Sequence, residues 1–272
     1  MRHVIVYPTW RCGLKCPYCQ YKLQDDGLSM KYGGSGRVYP VPKELMPDEL
    51  LSKLLEFKDA TYEFTGGEPF RYRELKTILN SLPGWAMTSN TLHSVDDLDF
   101  SRCFAWTASF HPHISGRAKD KFMFNIQSIR EKVKTVAVTL VAYPRHVARS
   151  LMWADRFDRL GFAVNVHPYY EDPNFSWGEY PEEWALLKGS RFRRYQDRFF
   201  KFSGVEGSPK CYAGKDYFVV APDGRVFPCA TEMLFGGEPL KEVSESYRQC
   251  KRTCYVCCDW HYGIREGFWE IF

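Results

Sequence analysis

At 272 residues, with 44% hydrophobic and 26% charged residues and a net charge of +4, the chain has the makeup of a globular protein large enough for a sizeable core. No apolar run approaches the roughly 18 residues a membrane span requires. The opening MRHVIVYPTW is too short, and lacks the small-residue cleavage site, for a secretory signal, so a cytoplasmic location is expected. So mild a charge does not by itself imply a nucleic-acid partner.

In chain order, strands are predicted at 3–8 (HVIVYP), 61–65 (TYEFT), 85–89 (WAMTS), 104–110 (FAWTASF), 133–141 (VKTVAVTLV) and 162–168 (FAVNVHP). Several are near-continuous β-branched or aromatic runs, the pattern of strands buried on both faces in a parallel sheet. Amphipathic segments separate them. PDELLSKLLEF opens with Pro47 and acidic residues, then repeats leucine at helical spacing. Residues 121–133 put Phe122, Ile126, Ile129 and Val133 on one face; 147–160 do the same with Val147, Leu151, Ala154 and Leu160, stopping at Gly161. Six strands alternating with helices predict a parallel α/β domain, curved or open, over roughly 1–170, with the loops after the strands on one common face.

Residues 171–180 read as a loop, Pro181 as a helix start, and KGSRFRRYQDRFFKF as a basic, aromatic stretch. KDYFVVAPDGRVFPC (215–229) places two apolar runs around a Pro-Asp-Gly turn, a β-hairpin signal, and a helical segment follows at 238–248. Residues 205–272 are expected to form a small cysteine-rich appendage to a main domain of 1–204.

The ten cysteines fall into groups: Cys12, Cys16 and Cys19 directly behind the first strand, Cys103 alone, and six from Cys211 to Cys258. In a reducing compartment such groups point to metal rather than to disulfides. Cys103, at a strand start, is expected to be a small buried apolar residue. The first group has the spacing Cys-x3-Cys-x2-Cys and no histidine on its loop, whereas a structural zinc site takes four ligands, usually in two pairs. Three thiolates suit three corners of a [4Fe–4S] cubane and leave one iron open. Behind the second strand stands TGGEP (65–69). Its two glycines let backbone come close to a ligand, and its carbonyls and Glu68 could accept hydrogen bonds from a ligand's ammonium.

These two motifs, the cysteines with aromatic Tyr18 before the last of them and Gly66-Gly67-Glu68-Pro69, resemble the radical S-adenosylmethionine superfamily. The resemblance implies a partial (β/α)6 TIM-like barrel. It implies a [4Fe–4S] cluster on Cys12, Cys16 and Cys19 whose open iron binds the amino and carboxylate groups of S-adenosylmethionine. Reductive cleavage of that cofactor then yields a 5′-deoxyadenosyl radical, which abstracts hydrogen from a substrate carbon. Cofactor contacts are implied for Tyr18, Gly66, Gly67, Glu68 and Pro69, for Ser89 and Asn90 ending the third strand, and for Ser109 ending the fourth. Polar strand ends facing a water-filled mouth explain the last three equally well. His111 and His113 on the same rim, and His167 beside Tyr169 and Tyr170, are candidates to exchange a proton with substrate; for the rim histidines a solvated loop is the plainer reading.

Cys211, Gly224 and Cys229 follow a Cys-x12-Gly-x4-Cys pattern, and CKRTCYVCCDWHYG adds Cys250, Cys254, Cys257 and Cys258. This resembles the SPASM or twitch extension of radical S-adenosylmethionine enzymes. It implies one auxiliary [4Fe–4S] cluster on Cys211, Cys229, Cys254 and Cys257, with Cys250 and Cys258 as alternatives for the fourth ligand and a zinc ribbon as the competing arrangement. A fully ligated auxiliary cluster implies electron transfer; an open one implies substrate binding. The resemblance further implies a peptide or amino-acid-derived substrate, oxidised or crosslinked. A small sugar-like alcohol and RNA or a nucleotide are the alternatives. An electron donor such as flavodoxin or ferredoxin is expected. Because the first strand begins at residue 3, leader-guided recognition inside this chain is not expected, though a separate peptide-recognition protein could supply it. The stretch Lys188, Arg191, Arg193, Arg194, Arg198 and Lys201, with aromatics between, reads as the solvated face of a helix or as a contact for an acidic peptide, RNA or electron donor.

Overall fold

The computed structural model describes residues 2–19, 21–23, 29–32, 38–41, 43–169, 176–192, 212–234 and 237–242, with 21–23, 29–32 and 38–40 described by backbone alone. Tyr170, most of the basic aromatic stretch, and Cys211, Cys250, Cys254, Cys257 and Cys258 lie outside the described residues, as does most of the helix expected at 238–248.

Strand β1 (Arg2–Val6) is followed by a small antiparallel sheet, β2 (Tyr21–Leu23), β3 (Ser29–Tyr32) and β4 (Val38–Pro40), which no sequence pattern announced. Strands of three or four residues are too short to show a period. Helix α1 (Pro47–Leu55) starts at a proline, and the Glu49 carboxylate accepts the Met46 backbone N–H at 2.8 Å. Next come β5 (Ala60–Phe64), the short helix α2 (Leu75–Ser81), β6 (Trp85–Ser89) and β7 (Cys103–Ser109). Helix α3 (Gly116–Arg130) begins five residues before the predicted span, because Ser115 caps it by accepting the Ala118 N–H at 3.3 Å. Then follow β8 (Val136–Ala142), α4 (Val147–Arg159), β9 (Ala163–Pro168) and α5 (Pro181–Lys188). The hairpin β10 (Tyr217–Val220) and β11 (Val226–Phe227) and the short helix α6 (Ala230–Leu234) come last.

The main sheet is open, mixed and eight-stranded, in the order β11-β10-β1-β5-β6-β7-β8-β9. All pairs from β10 to β9 are parallel, and only β10–β11 is antiparallel. Six strands were expected. The hairpin adds two by pairing along the free edge of β1, with Val4 opposite Phe218 and Val6 opposite Val220. An unpaired first strand would expose a row of backbone groups, which the hairpin covers.

The two faces of this sheet differ. One carries Val4, Val6, Tyr62, Phe64, Trp85, Met87, Trp106, Val138, Leu140 and Val166, all essentially buried in one core with Leu50, Leu54, Phe122, Ile126 and Phe157 of the helices. At its centre Phe110 meets Phe122 and Phe157 edge-on, with centroids 4.9 Å apart in each pair. Such pairs add about 0.5–1.5 kcal/mol each beyond burial of area. Cys103 lies in this core, and burial pushes its thiol up to about 12. The opposite face carries His3, Thr61, Glu63, Thr88, Thr107, Ser109, Thr139, Asn165 and His167 at half-buried positions, in register across the strands. Burial on both faces, expected from the near-continuous runs, therefore holds on one side only. At the β1–β10 end a second small core of Ile5, Tyr7, Trp10, Tyr217, Val219 and Leu234 covers this second face. No helix of the described residues is long and apolar enough to cross a membrane.

Candidate functional site

Every parallel strand ends on the same edge of the sheet, and the loop carrying Cys12, Cys16 and Cys19 leaves β1 there. Its entry is fixed by charge and by backbone. Thr9 Oγ1 donates to Glu44, and Arg11 forms an ion pair with the same carboxylate. Beyond Cys16 the chain turns tightly, the Cys19 N–H donating to the Cys16 carbonyl at 3.1 Å. Cys12 is exposed, Cys16 buried and Cys19 half-buried.

The Gly-Gly-Glu-Pro loop locks onto this entry. The Gly67 N–H donates to the Thr9 carbonyl at 3.0 Å and the Glu68 N–H to the Arg11 carbonyl at 2.8 Å. A Cβ on Gly67 would stand 2.5 Å from the carbonyl oxygens of Trp10 and Arg11, so only glycine permits this seat, and Gly66 holds a φ of +121°. Both glycines thus serve contact between two loops of the protein.

Glu68 is 1% exposed. One carboxylate oxygen accepts the Ser89 hydroxyl at 2.8 Å and the Phe70 N–H at 3.3 Å, while the other accepts the Asn90 N–H at 2.8 Å. Burial raises its pKa to about 6, and those three hydrogen bonds oppose the rise. Glu68, Ser89 and Asn90, each expected at a cofactor, therefore meet one another: the glutamate ties the end of β6 to the loop after β5. Asn90 Oδ1 also accepts the Leu92 N–H at 3.0 Å. Pro69 is buried and opens a 3₁₀ turn, Pro69–Arg71.

The cysteine loop reaches across the strand ends. Tyr18, 6% exposed, stacks on His111 with centroids 5.9 Å apart and also meets His113 and Tyr143, at 5.7 and 5.8 Å. His111 Nδ1 lies 2.9 Å from the Tyr18 hydroxyl and 3.4 Å from Cys16 Sγ. In the sheet, β1 and β8 are four strands apart, about 19 Å at ordinary strand spacing. The loop from β1 still touches Tyr143 just after β8, so it spans the mouth. His111, expected on an open rim, is instead wedged between loop and sheet, and burial lowers its pKa to about 4. His167, at the end of β9, is likewise lowered by burial to about 4, so both rings are neutral near pH 7. Tyr169 follows β9 with its ring edge-on to Tyr143 at 5.0 Å. Ser109 stands beside Thr139 on the half-buried face.

Among the described residues no three His, Cys, Asp or Glu side chains converge on a point where a metal ion would sit. A cubane spreads its ligands over separate corners, so a cluster asks for thiols around a volume rather than at a point. The donor set fits such a group: three soft thiolates on one loop, with no carboxylate between them. Burial raises the pKa of the Cys12 thiol, opposed by the Leu14 N–H and by the nearby Arg71. Of the C-terminal thiols only Cys229 lies among the described residues, half-buried, its Sγ accepting the Glu232 N–H at 3.4 Å at the start of α6.

Two residues that motif reasoning passed over shape the site. Arg71 folds back over the cysteine loop, its guanidinium filling the space beside Gly13. Asn125, buried on α3, donates from its amide to the carbonyls of Thr91 and His93 at 2.8 and 2.9 Å, pinning the loop after β6. A buried asparagine inside an otherwise apolar helix face was the available signal.

By sequence the chain matches no family model and no curated protein. Among solved structures it is similar to Streptococcus suis SuiB, determined bound to precursor peptide SuiA. The likeness has a TM-score of 0.55 and 13% identity over 88% of this chain, and it spans 61% of that one. At that identity it is a likeness of fold.

Proposed function

We propose that this protein is a radical S-adenosylmethionine enzyme acting on a peptide or amino-acid-derived substrate. One observation carries the reading: the Cys-x3-Cys-x2-Cys loop leaves the first parallel strand at its C-terminal end and is held there by Gly67 and Glu68 of the next loop. That juxtaposition makes one site of two motifs lying fifty residues apart in the chain. The fold shared with SuiB supports it, and the precursor peptide in that structure favours a peptide over other substrates.

On this reading the sheet is a partial (β/α)6 barrel over residues 1–204, followed by an auxiliary-cluster region at 205–272. Cys12, Cys16 and Cys19 hold a [4Fe–4S] cluster, and Cys211, Cys229, Cys254 and Cys257 hold a second. When bound with S-adenosylmethionine, the first cluster supplies one-electron reductive cleavage of that cofactor and so a hydrogen-abstracting carbon radical. The chain's own residues perform the rest. Tyr18, flanked by His111, His113 and Tyr143, closes one side of the mouth against water. Glu68 fixes the strand end that presents Asn90, and Ser109 lines the half-buried face. Neutral His167 and Tyr169, at the end of β9, are placed to accept or return a proton of the substrate. A flavodoxin or ferredoxin supplies the electron.

A second reading, dehydrogenation of a small sugar-like alcohol, is favoured by the hydroxyl and amide groups of Thr88, Thr107, Thr139 and Asn165 along the half-buried face. The deciding experiment is iron and sulfide content after anaerobic reconstitution, with a dithionite-driven assay for 5′-deoxyadenosine. About eight irons per chain, and product lost in Cys16→Ala, are expected for two clusters. About four irons with product would leave the C-terminal thiols to zinc. No 5′-deoxyadenosine from an iron-loaded protein would refute the reading.

A further inference from the structure

We propose that Arg71, His93 and Lys121 form a binding site for an oxyanion, a carboxylate or phosphate group of the molecule that occupies the mouth of the sheet. Arg71 closes the 3₁₀ turn after Glu68, and its guanidinium lies on the cysteine loop: a Cβ at Gly13 would stand 2.6 Å from Nη2. The missing side chain at position 13 is what lets the guanidinium settle there.

The other two groups are brought to Arg71 by packing. Phe70, its neighbour in sequence, stacks on the His93 ring with centroids 5.8 Å apart and planes 15° from parallel. The His93 carbonyl is held by Asn125 of α3. Lys121 stands one helical turn before Asn125 on α3, exposed, near enough for its charge to act on His93. The charges of Arg71 and Lys121 both fall on His93 and, after burial, depress its pKa. The imidazole is therefore a neutral N–H donor near pH 7 rather than a third like charge.

Among the described residues neither the Arg71 guanidinium nor the Lys121 ammonium has a hydrogen bond or ion pair. Basic groups elsewhere, such as Arg11, Lys76 and Arg191, sit on carboxylates. Glu68 is close enough to feel Arg71, but Ser89, Asn90 and Phe70 already occupy its oxygens. A guanidinium fork, an ammonium and an imidazole N–H gathered about one loop are the donor set of an oxyanion site. It lies beside the cysteine loop, at the ends of β5 and β6. The site does not rest on the radical reading; it adds the charge of what binds.

The test follows the His93 ring resonance of the full-length chain, assigned with His93→Asn, while inorganic phosphate or succinate is added at constant ionic strength. A saturable shift is expected with at least one probe. Arg71→Gln and Lys121→Gln should each weaken that binding about tenfold or more, the size of a lost charge-assisted hydrogen bond. Both side chains are exposed, so both variants keep the fold. Gly13→Ala, which retains every charge but displaces the guanidinium, should weaken it too. Saturation by succinate alone identifies a carboxylate ligand, and by phosphate alone a phosphorylated one. No saturable shift with either probe, or saturation unchanged in Arg71→Gln, overturns the proposal. Neither iron nor S-adenosylmethionine enters the measurement, so its failure and that of the radical reading are told apart.

Discussion

Replacing Glu68 by glutamine tests whether this carboxylate is the clamp between the strand ends. Burial raises its pKa from 4.5 to about 6 in the folded chain. The folded state therefore holds the proton more tightly than the unfolded state, and acidification favours folding through this group. Its contribution is fully present below about pH 4.5 and is lost as pH rises through about 6. At about 1.4 kcal/mol per pH unit, the ionised clamp costs the folded state about 2 kcal/mol at neutral pH. Glutamine removes that penalty. Its oxygen can still accept the Asn90 N–H and its amide can donate to Ser89, but the long bond from Phe70 is lost, at about 1 kcal/mol.

Near pH 7 the Glu68→Gln protein should thus be about 1 kcal/mol more stable than the wild type. Glu68→Ala, which leaves three donors unmet, two of them buried, should lose about 3 kcal/mol or more. The diagnostic quantity is wild-type minus Glu68→Gln stability from urea unfolding at several pH values. It should fall by about 2 kcal/mol between about pH 4 and pH 7. Taking the difference matters because His111 and His167 act with the opposite sign and partly mask the effect in the wild type alone. A difference that stays flat, or rises with pH, would refute the burial-raised pKa, and a Glu68→Ala protein as stable as the wild type would refute the clamp.

Gly67→Ala drives a Cβ into the Trp10 and Arg11 carbonyls; it should cost about 1–3 kcal/mol in urea unfolding and reduce the iron retained after reconstitution. Asn125→Ala leaves the carbonyls of Thr91 and His93 unpaired and should destabilise by about 1–3 kcal/mol, with faster hydrogen exchange in the loop after β6 as the local sign. His167, its pKa lowered from 6.5 to about 4, contributes stability that is full above about pH 6.5 and drains away as pH falls through about 4. His167→Leu should therefore unfold at lower pH than the wild type in an acid titration; an unchanged midpoint would show that the ring is solvated.

How much of this was legible in the sequence depends on which residues carried a period. Helices α1 and α4 were found within a turn at either end, and α3 without its first five residues, because Leu50 and Leu54, Phe122 and Ile126, and Val147 and Ala154 repeat at helical spacing and are buried. Helix α2 was missed although Leu75, Ile78 and Leu79 have that spacing; seven residues bounded by Ser81 and Pro83 are too few to stand out. The hairpin was recognised from its Pro-Asp-Gly turn, but its place beside β1 could not be, because no local pattern records which strand a parallel edge will find. In the site, the cysteine loop and the glycine loop were legible as motifs, while their contact through Thr9, Trp10 and Arg11 was not. Nor did any motif announce that Phe70 would stack on His93 and Asn125 hold the His93 carbonyl.

The asymmetry of the sheet was the subtler misreading, and it explains why the site lies where it does. WTAS, VTLV and VNVH look like continuous strand formers, yet Thr107, Thr139 and Asn165 alternate with Trp106, Leu140 and Val166. The threonines satisfy β-propensity without supplying an apolar surface. Hydrophobic burial therefore holds this sheet largely from its helix side, and the other face remains half-buried and polar over β5 to β9. A polar face gains little from direct cover, so what spans its mouth must be held by specific bonds. Gly67 and Glu68 hold one end of the cysteine loop, and Tyr18 between His111 and Tyr143 holds the other. Loosening either anchor should disturb the thiols well before it unfolds the sheet, whose large core lies on the far side.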